Sequence, residues 1–406
     1  MTAPYFFSNL EKAICQERSS IDRWFEQQWL STPPPVYGSI DLRHAGFKLA
    51  PIDMNLYPAG FNNLSQTSFM QAIEAIQSLM RQRYPSAKSV MLIPENHSRN
   101  QFYWENINTL SFLLREAGLD VRIGGDPTFF PQNTAIQLAH GGHIVVEPIQ
   151  RQAQRLVLDH YDPSLIWLNN DFSSGAPAYV NDIEQPMCPP PELGWHSRLK
   201  TTHFSHYRDV AAEFSDLLSI DPWLIDPLFL CCDNVDFMQR EGEWCLTTNV
   251  EALLKAIQKK YDAYSISSPP FVIVKADAGT YGMSVMSIKN SDDIRALNRK
   301  QRTKMSASKG SKTVHRVIIQ EGVYTVETRG QSKSVAEPVM YMMGSSVIGG
   351  FYRLHKNKSN FESLNAPGME FEPLTNTSLP HAELYHTVAR LSMLAAAREE
   401  KCVQKT

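Results

Sequence analysis

Phe271-Val272-Ile273-Val274-Lys275-Ala276-Asp277-Ala278-Gly279-Thr280-Tyr281-Gly282-Met283 carries the chain from an apolar run into a short polar loop. The apolar residues before Lys275 read as a buried strand, and Ser284-Val285-Met286-Ser287-Ile288 alternates like its returning partner. The tip of such a hairpin suits phosphates. Glycines at 279 and 282 let backbone N–H groups approach phosphate oxygens with no Cβ between them, and Lys275 supplies a point charge. The loop lacks the Gly-Lys-Ser/Thr of a Walker A site and no helix pattern follows it, which excludes a P-loop. Two turn glycines beside a lysine also occur in purely structural hairpins, so the weight falls on what lies downstream.

Arg316-Val317-Ile318-Ile319-Gln320-Glu321-Gly322-Val323 reads as a buried strand with a polar end. Backbone groups at such an end can meet an adenine edge, and Glu321 is placed to accept from ribose hydroxyls. Lys275, Gly279, Thr280, Gly282, Gln320, Glu321, Gly322 and Val323 are therefore the expected nucleotide-binding set. Glu337 to Met343 and Val347 to His355 read as two strands joined by a turn, with Arg353 near the end of the second. Leu364-Asn365-Ala366-Pro367-Gly368 then adds an amide side chain in a rigid turn.

In this order, from lysine strand to asparagine turn, the chain resembles the ATP-grasp superfamily, glutathione synthetase and its relatives most of all. Ser39-Ile40-Asp41-Leu42-Arg43, Phe47 to Leu64 and Val274 to Met283 look like those of a bacterial glutamate–cysteine ligase family, a likeness covering nearly the whole chain. It implies ATP-dependent joining of the γ-carboxylate of L-glutamate to the amine of L-cysteine through an acyl phosphate, the first step of glutathione synthesis, with ATP and Mg²⁺. Phosphoryl transfer depends on positioning and on cations that neutralise phosphate oxygens. Lys275 and Arg353 are then the expected catalytic residues, Arg353 with a planar fork suited to the transferred group. Glutathione synthetase-like enzymes carry their metal ligands on strands beyond the helix that corresponds here to Ala382–Glu399, where few residues remain before Thr406. The expected Mg²⁺ donors are instead Glu337, Glu362 and Asn365.

For the amino-acid substrates the candidates lie between Asp41 and Asn63. A carboxylate calls for Arg43 or Lys48, an α-amino group for Asp53 or Asp41, and Asn55, Asn62 and Asn63 can orient the rest. Gly46, Pro51, Pro58 and Gly60 among them suggest a rigid binding loop. Turn capping by the same asparagines is the competing reading.

Hydrophobic content of 43%, charged content of 20% and a net charge of −3 leave no electrostatic footprint for nucleic acid or an anionic membrane. With no signal-like opening and no run of eighteen apolar residues, a cytoplasmic location is expected. Six cysteines without a Cys-x-x-Cys pair agree with a reducing compartment, and Cys231-Cys232, in an apolar segment, read as buried thiols. His196, His203 and His206 lack a further ligand at a fixed offset and sit in an aromatic-rich segment, against a metal site.

The expected fold class is α/β, becoming α+β in the C-terminal half. Residues 1–185 read as an α/β substrate domain with a mostly parallel sheet, 186–265 as a connecting helical region opened by Pro186 to Pro191, and 266–406 as an ATP-grasp-like nucleotide module. Helical spacing over Leu64–Tyr84 and Phe102–Ala117 alternates with strands at 89–94 and 119–123, followed by strands at 143–147 and 165–168. Polar loops after the strands, at 95–99, 124–126 and 169–171, are expected to share one crevice. Further helices are expected over Val250–Tyr264 and Ala382–Glu399, and the basic stretch Asn298–Lys312 reads as a solvated loop. Two other functions fit the same residues: an ATP-grasp ligase for different amino acids, and a nucleotide-binding scaffold without catalysis. No motif bears on oligomeric state.

Overall fold

The computed structural model describes residues 3–96, 100–279, 284–306, 313–375 and 381–403. The chain opens with helices α1 (Ala3–Gln16) and α2 (Arg18–Ser31) and strands β1 (Tyr37–His44) and β2 (Leu49–Asn55). Then come α3 (Gln66–Arg83), β3 (Ser89–Pro94), α4 (Gln101–Glu116), β4 (Asp120–Gly125), β5 (Thr134–Gln137) and β6 (His143–Pro148). A small ribbon, β7 (Gln150–Gln152) and β8 (Arg155–Val157), leads to β9 (Leu165–Asn169) and β10 (Met187–Cys188). The next stretch holds α5 (Lys200–Leu218), β11 (Phe229–Cys232), α6 (Glu243–Ala263), β12 (Val272–Ala276), β13 (Val285–Ile288), α7 (Asp292–Arg295), α8 (Arg299–Ser306) and β14 (Val317–Glu321). Last are β15 (Thr328–Arg329), β16 (Ser334–Met343), β17 (Ser346–His355), β18 (Glu370–Pro373) and α9 (Ala382–Val403).

The mostly parallel sheet lies where the pattern puts it, in the order β10-β9-β3-β4-β6-β5, with only the edge strand β5 antiparallel. Its helices start on side-chain caps. Ser65 accepts from the Ser68 N–H at the head of α3, and Asn100 from the Tyr103 N–H at the head of α4.

Residues 37–55 depart from expectation. They form an antiparallel β1–β2 pair, not a loop, and β1 also pairs with β16, so one sheet ordered β18-β17-β16-β1-β2 joins the two ends of the chain across the boundaries drawn at 185 and 265. Alternation in Ser39-Ile40-Asp41-Leu42-Arg43 is the strand signal, and Pro51 is accommodated where the β1–β2 register shifts. Ile40, Leu42, Met340, Met342, Tyr352 and Leu354 send one face of this sheet into the core with Leu384, Val388, Leu391 and Leu394 of α9. The polar residues between them look the other way.

A third sheet, β11-β14-β12-β13, is antiparallel throughout. Val272 and Val274 of β12 enter the core, which turns Ile273 and Lys275 to the opposite face. Segment 195–207, read as aromatic and histidine-rich, mostly becomes α5, whose His203, Tyr207, Val210, Ala211 and Phe214 are buried at helical spacing. Arg198, just before α5, pairs through two nitrogens with Glu399 of α9 at 2.9 Å each and donates to the Met54 carbonyl at 2.8 Å. Burial alone would raise the Glu399 carboxyl, but Arg198 and His203 together outweigh it and hold the group down at about 2. Among the described residues no helix is long and apolar enough to cross a membrane.

Candidate active site

The two antiparallel sheets face each other across a cavity. Lys275 comes from β12 on one side and Arg353 from β17 on the other, and both line it. Lys275 Nζ also spans the gap, donating to the Ile52 carbonyl of β2 at 2.6 Å. Burial pulls its ammonium down to about 8, with Lys200 adding repulsion and Asp53 opposing. Ile273, Ala276, Val285 and Val323 make the apolar wall, and the buried Gln320 Nε2 on the same cavity has no hydrogen-bond partner among the described residues.

Arg353 belongs to a chain of charges on the polar face of the larger sheet. Its Nη1 donates to Asp41 and to Glu337, at 2.7 Å each, and the other Glu337 oxygen accepts from Arg43 Nε at 2.9 Å. Strand geometry imposes this grouping, because Glu337 and Arg353 face each other across β16 and β17, as do Asp41 and Asp53 across β1 and β2. Burial opposes the charge on Arg353, but Asp41 and Glu337 raise its proton affinity further. Among the described residues its buried Nε has no partner. Asp41 and Asp53 are driven apart. Burial raises the Asp41 carboxyl even against Arg353, whereas for Asp53 the burial effect is overcome by Lys200, Lys275 and Arg198, and its carboxyl is lowered.

A second cavity adjoins the first. Asp41, Asp53, Arg353 and Asn365 are in the walls of both. Asn55, Asn62 and Asn63 line it too, with Tyr57, Trp195 and Tyr341 as aromatic surface. Asn55 bonds to the backbone of Tyr57 through both ends of its amide, at 3.0 and 3.1 Å, so it caps a turn while facing the cavity. Of the loops expected to share a crevice, only 169–171 reaches this wall among the described residues, through Asp171; residues 95, 96 and 124–126 are not in it, while Asn100 and Phe102, just beyond the first loop, are. Residues 97–99, like Thr280 and Gly282, lie outside the described residues.

Several expected residues have other partners. Lys48, expected on a substrate carboxylate, is fully buried, donating to Glu321 Oε2 at 2.7 Å and to the Asp226 carbonyl at 2.8 Å, 4.4 Å from the centre of the Trp223 ring. Glu321, expected on ribose, also accepts from the Leu228 N–H and from Trp223 Nε1. Arg43 faces the first cavity, held by Glu337 and by the Val323 and Glu362 carbonyls. The hinge amides are engaged: Glu321 N–H donates to Leu228 at 2.7 Å and Gly322 N–H to Phe271 at 2.8 Å. A Cβ on Gly322 would stand 2.1 Å from the Phe271 ring, so packing requires this glycine. Gly279, at φ +97°, lines the first cavity and gives its carbonyl to Lys200 Nζ at 2.8 Å.

Nor do the expected Mg²⁺ donors fit together. Glu337 and Asn365 line the first cavity, but both Glu337 oxygens already accept from arginines, and Glu362, which is not in that lining, accepts from Lys358 and from Ser359 N–H and Oγ in its own loop. Among the described residues no group of three histidine, cysteine, aspartate or glutamate side chains could hold a metal. Sequence reasoning missed Lys200. At the head of α5 it lines the first cavity, 3.6 Å from Asp53 and 3.8 Å from the centre of the Trp195 ring, and no spacing in the sequence marks it.

Adjoining cavities with four residues in common suit an enzyme that couples two reactants, a ligase. Comparison with known proteins makes the class specific. Residues 11–400 match the family described as GshA, glutamate-cysteine ligase, and the chain belongs to that family. A solved structure from Methylobacillus flagellatus KT, provisionally called a gamma-glutamylcysteine synthetase, is 45% identical and superposes with a TM-score of 0.90, covering 99% of this chain and 98% of that one. D-alanyl-alanine synthetase A from Vibrio cholerae O1 biovar eltor (11% identity, 76% of this chain and 81% of that one, TM-score 0.35) is too distant to bear on fold or function. So is a glutathione synthetase-like effector from Globodera pallida (8% identity, 87% and 79%, TM-score 0.38). No curated protein sequence matches the chain.

Proposed function

We propose that the protein joins L-glutamate to L-cysteine at the expense of ATP, through γ-glutamyl phosphate, using an ATP-grasp-like clasp. One observation supports this above the rest: Asp41, Asp53, Arg353 and Asn365 belong to both cavities. The first cavity, cationic and partly apolar, suits ATP, and the second, rich in amides and carboxylates, suits two amino acids. A γ-carboxylate oxygen entering from the second attacks the γ-phosphorus at the junction, and ADP leaves. Lys275, Lys200 and Arg353 neutralise the phosphate oxygens, and the unpartnered Nε of Arg353 adds a donor for the transferred group. The amine of cysteine then attacks the acyl carbon, the C–O bond to phosphate breaks, and the amine gives up a proton. Asp41 and Asp53 divide the remaining work. Asp41, whose proton affinity burial raises, is the acceptor, and Asp53, held ionised by its lysines, anchors an ammonium group. We assign the reaction to the cytoplasm, with which six free cysteines agree.

The test is ADP release with hydroxylamine trapping. Glutamate and ATP with hydroxylamine should yield γ-glutamyl hydroxamate without cysteine, and in the absence of the trap steady ADP release should need cysteine as well. Turnover indifferent to glutamate would overturn the reading.

A further inference from the structure

Cys232, read from the sequence as a buried thiol, belongs to a pair arranged for chemistry. Cys232 ends β11 and Cys245 lies in the first turn of α6, yet their sulfurs approach to 3.0 Å. Asn249, one turn further along α6, aims its amide at both, 3.2 Å from Cys232 Sγ and 3.6 Å from Cys245 Sγ. The adjacent Cys231 is not part of the arrangement, because successive strand side chains point to opposite faces. Cys245 is partly exposed and Cys232 buried, so a reagent reaches one sulfur of the pair first. It is also Cys245 that stands at the positive end of a helix, where negative charge is favoured.

We propose that Cys232 and Cys245 form a reversible redox pair, oxidised to an intramolecular disulfide by small organic disulfides. Cys245, as thiolate, attacks one sulfur of the reagent RSSR; that S–S bond breaks, RS⁻ leaves and is protonated, and a mixed disulfide stays on Cys245. Cys232 loses its proton to solvent and attacks the Cys245 sulfur, expelling the second RS⁻. Two protein thiols lose two electrons, and RSSR becomes two RSH. Burial pushes the Cys232 thiol up to about 12, which suits the resolving partner over the first attacker. The link closes the loop 233–242 between α6 and the edge strand of the sheet that carries Lys275.

The experiment uses the full-length reduced protein and 2-hydroxyethyl disulfide, a neutral reagent unlike either amino-acid substrate, followed by alkylation and peptide mass mapping. Cys15 and Cys402, both exposed, report on the reagent by retaining hydroxyethyl adducts. Under conditions that modify them, the wild type should lose the Cys232 and Cys245 thiols together and yield a peptide joined at these two positions, two hydrogens lighter and without adduct. Cys231→Ser should leave the link intact, and Cys232→Ser should strand the adduct on Cys245. A persistent Cys245 adduct in the wild type, a link through Cys231, or modification of Cys15 and Cys402 alone would each overturn the proposal.

Discussion

Positions 48 and 353 carry cations of similar outward character, both buried, both beside carboxylates and both contributed by the β1-containing sheet or its turn. Their surroundings differ in what is left over. Around Lys48 the ammonium meets Glu321, the Asp226 carbonyl and the Trp223 ring, and the Glu321 oxygens accept from Lys48, Trp223 and Leu228, so the cluster's own hydrogen bonds are closed although Glu321 also lines the first cavity. Around Arg353 two carboxylates hold one edge of the guanidinium while its buried Nε has no partner, on the common wall of two cavities. Burial and pairing therefore do not distinguish a structural ion pair from a functional one. Incomplete coordination at a cavity wall is the feature by which Arg353 differs, and substitution at each position tests it.

The comparison breaks most visibly at Arg353. Replacing it with lysine keeps a charge but loses the fork, and turnover should fall on the order of 10³-fold if the group stabilises a transferring phosphoryl. Steady-state ADP release, with circular dichroism to confirm the fold, measures this; a fall of less than about tenfold would reduce Arg353 to a structural role. Next in size is Lys48→Met, which leaves Glu321 ionised and uncompensated in the core and should cost roughly 3–5 kcal/mol of stability. Urea midpoints should recover much of the loss when Glu321→Gln is added, while KM for glutamate stays unchanged in the folded protein. A raised KM with undiminished stability would mean that Lys48 touches substrate, and the contrast between the two cations would collapse.

The same contrast explains what could be read in advance. Lys275 and Arg353 were legible because each ends an apolar strand whose period of two fixes the side chain's face, and both line one cavity. The β1–β2 pair was obscured by Pro51 and by the glycines and asparagines around it, which local rules assign to loops, while the strand that settles the matter, β16, lies almost 300 residues further on. Lys48 and Glu321 illustrate the limit of local reading. Each sits in a motif that invites a ligand, and each answers the other across a separation of 273 residues. Gly322, expected at a nucleotide hinge, also makes room for the Phe271 ring. Lys200 had no periodic context at all, because its role comes from α5 packing beside Gly279 and Asp53.

Lys275 sharpens the comparison at smaller scale, because its charge is sustained only in part. Its ammonium titrates at about 8 in the folded protein, lowered first by burial, against about 10.4 in an unfolded chain. Phosphates bind the protonated form, so ATP affinity should be fully present below 8 and weaken several-fold as pH rises through that value. Equilibrium binding is the right measurement, since turnover would also register the cysteine amine losing its proton. Stability should move the other way. Between about 8 and 10.4 the unfolded chain keeps a proton that the folded one has released, so this group adds up to about 3 kcal/mol with rising pH. Lys275→Met should abolish both slopes. If ATP affinity in the wild type stays flat from pH 7 to 9 while the stability slope persists, Lys275 is buried without meeting phosphate and belongs with Lys48 on the closed side of the comparison.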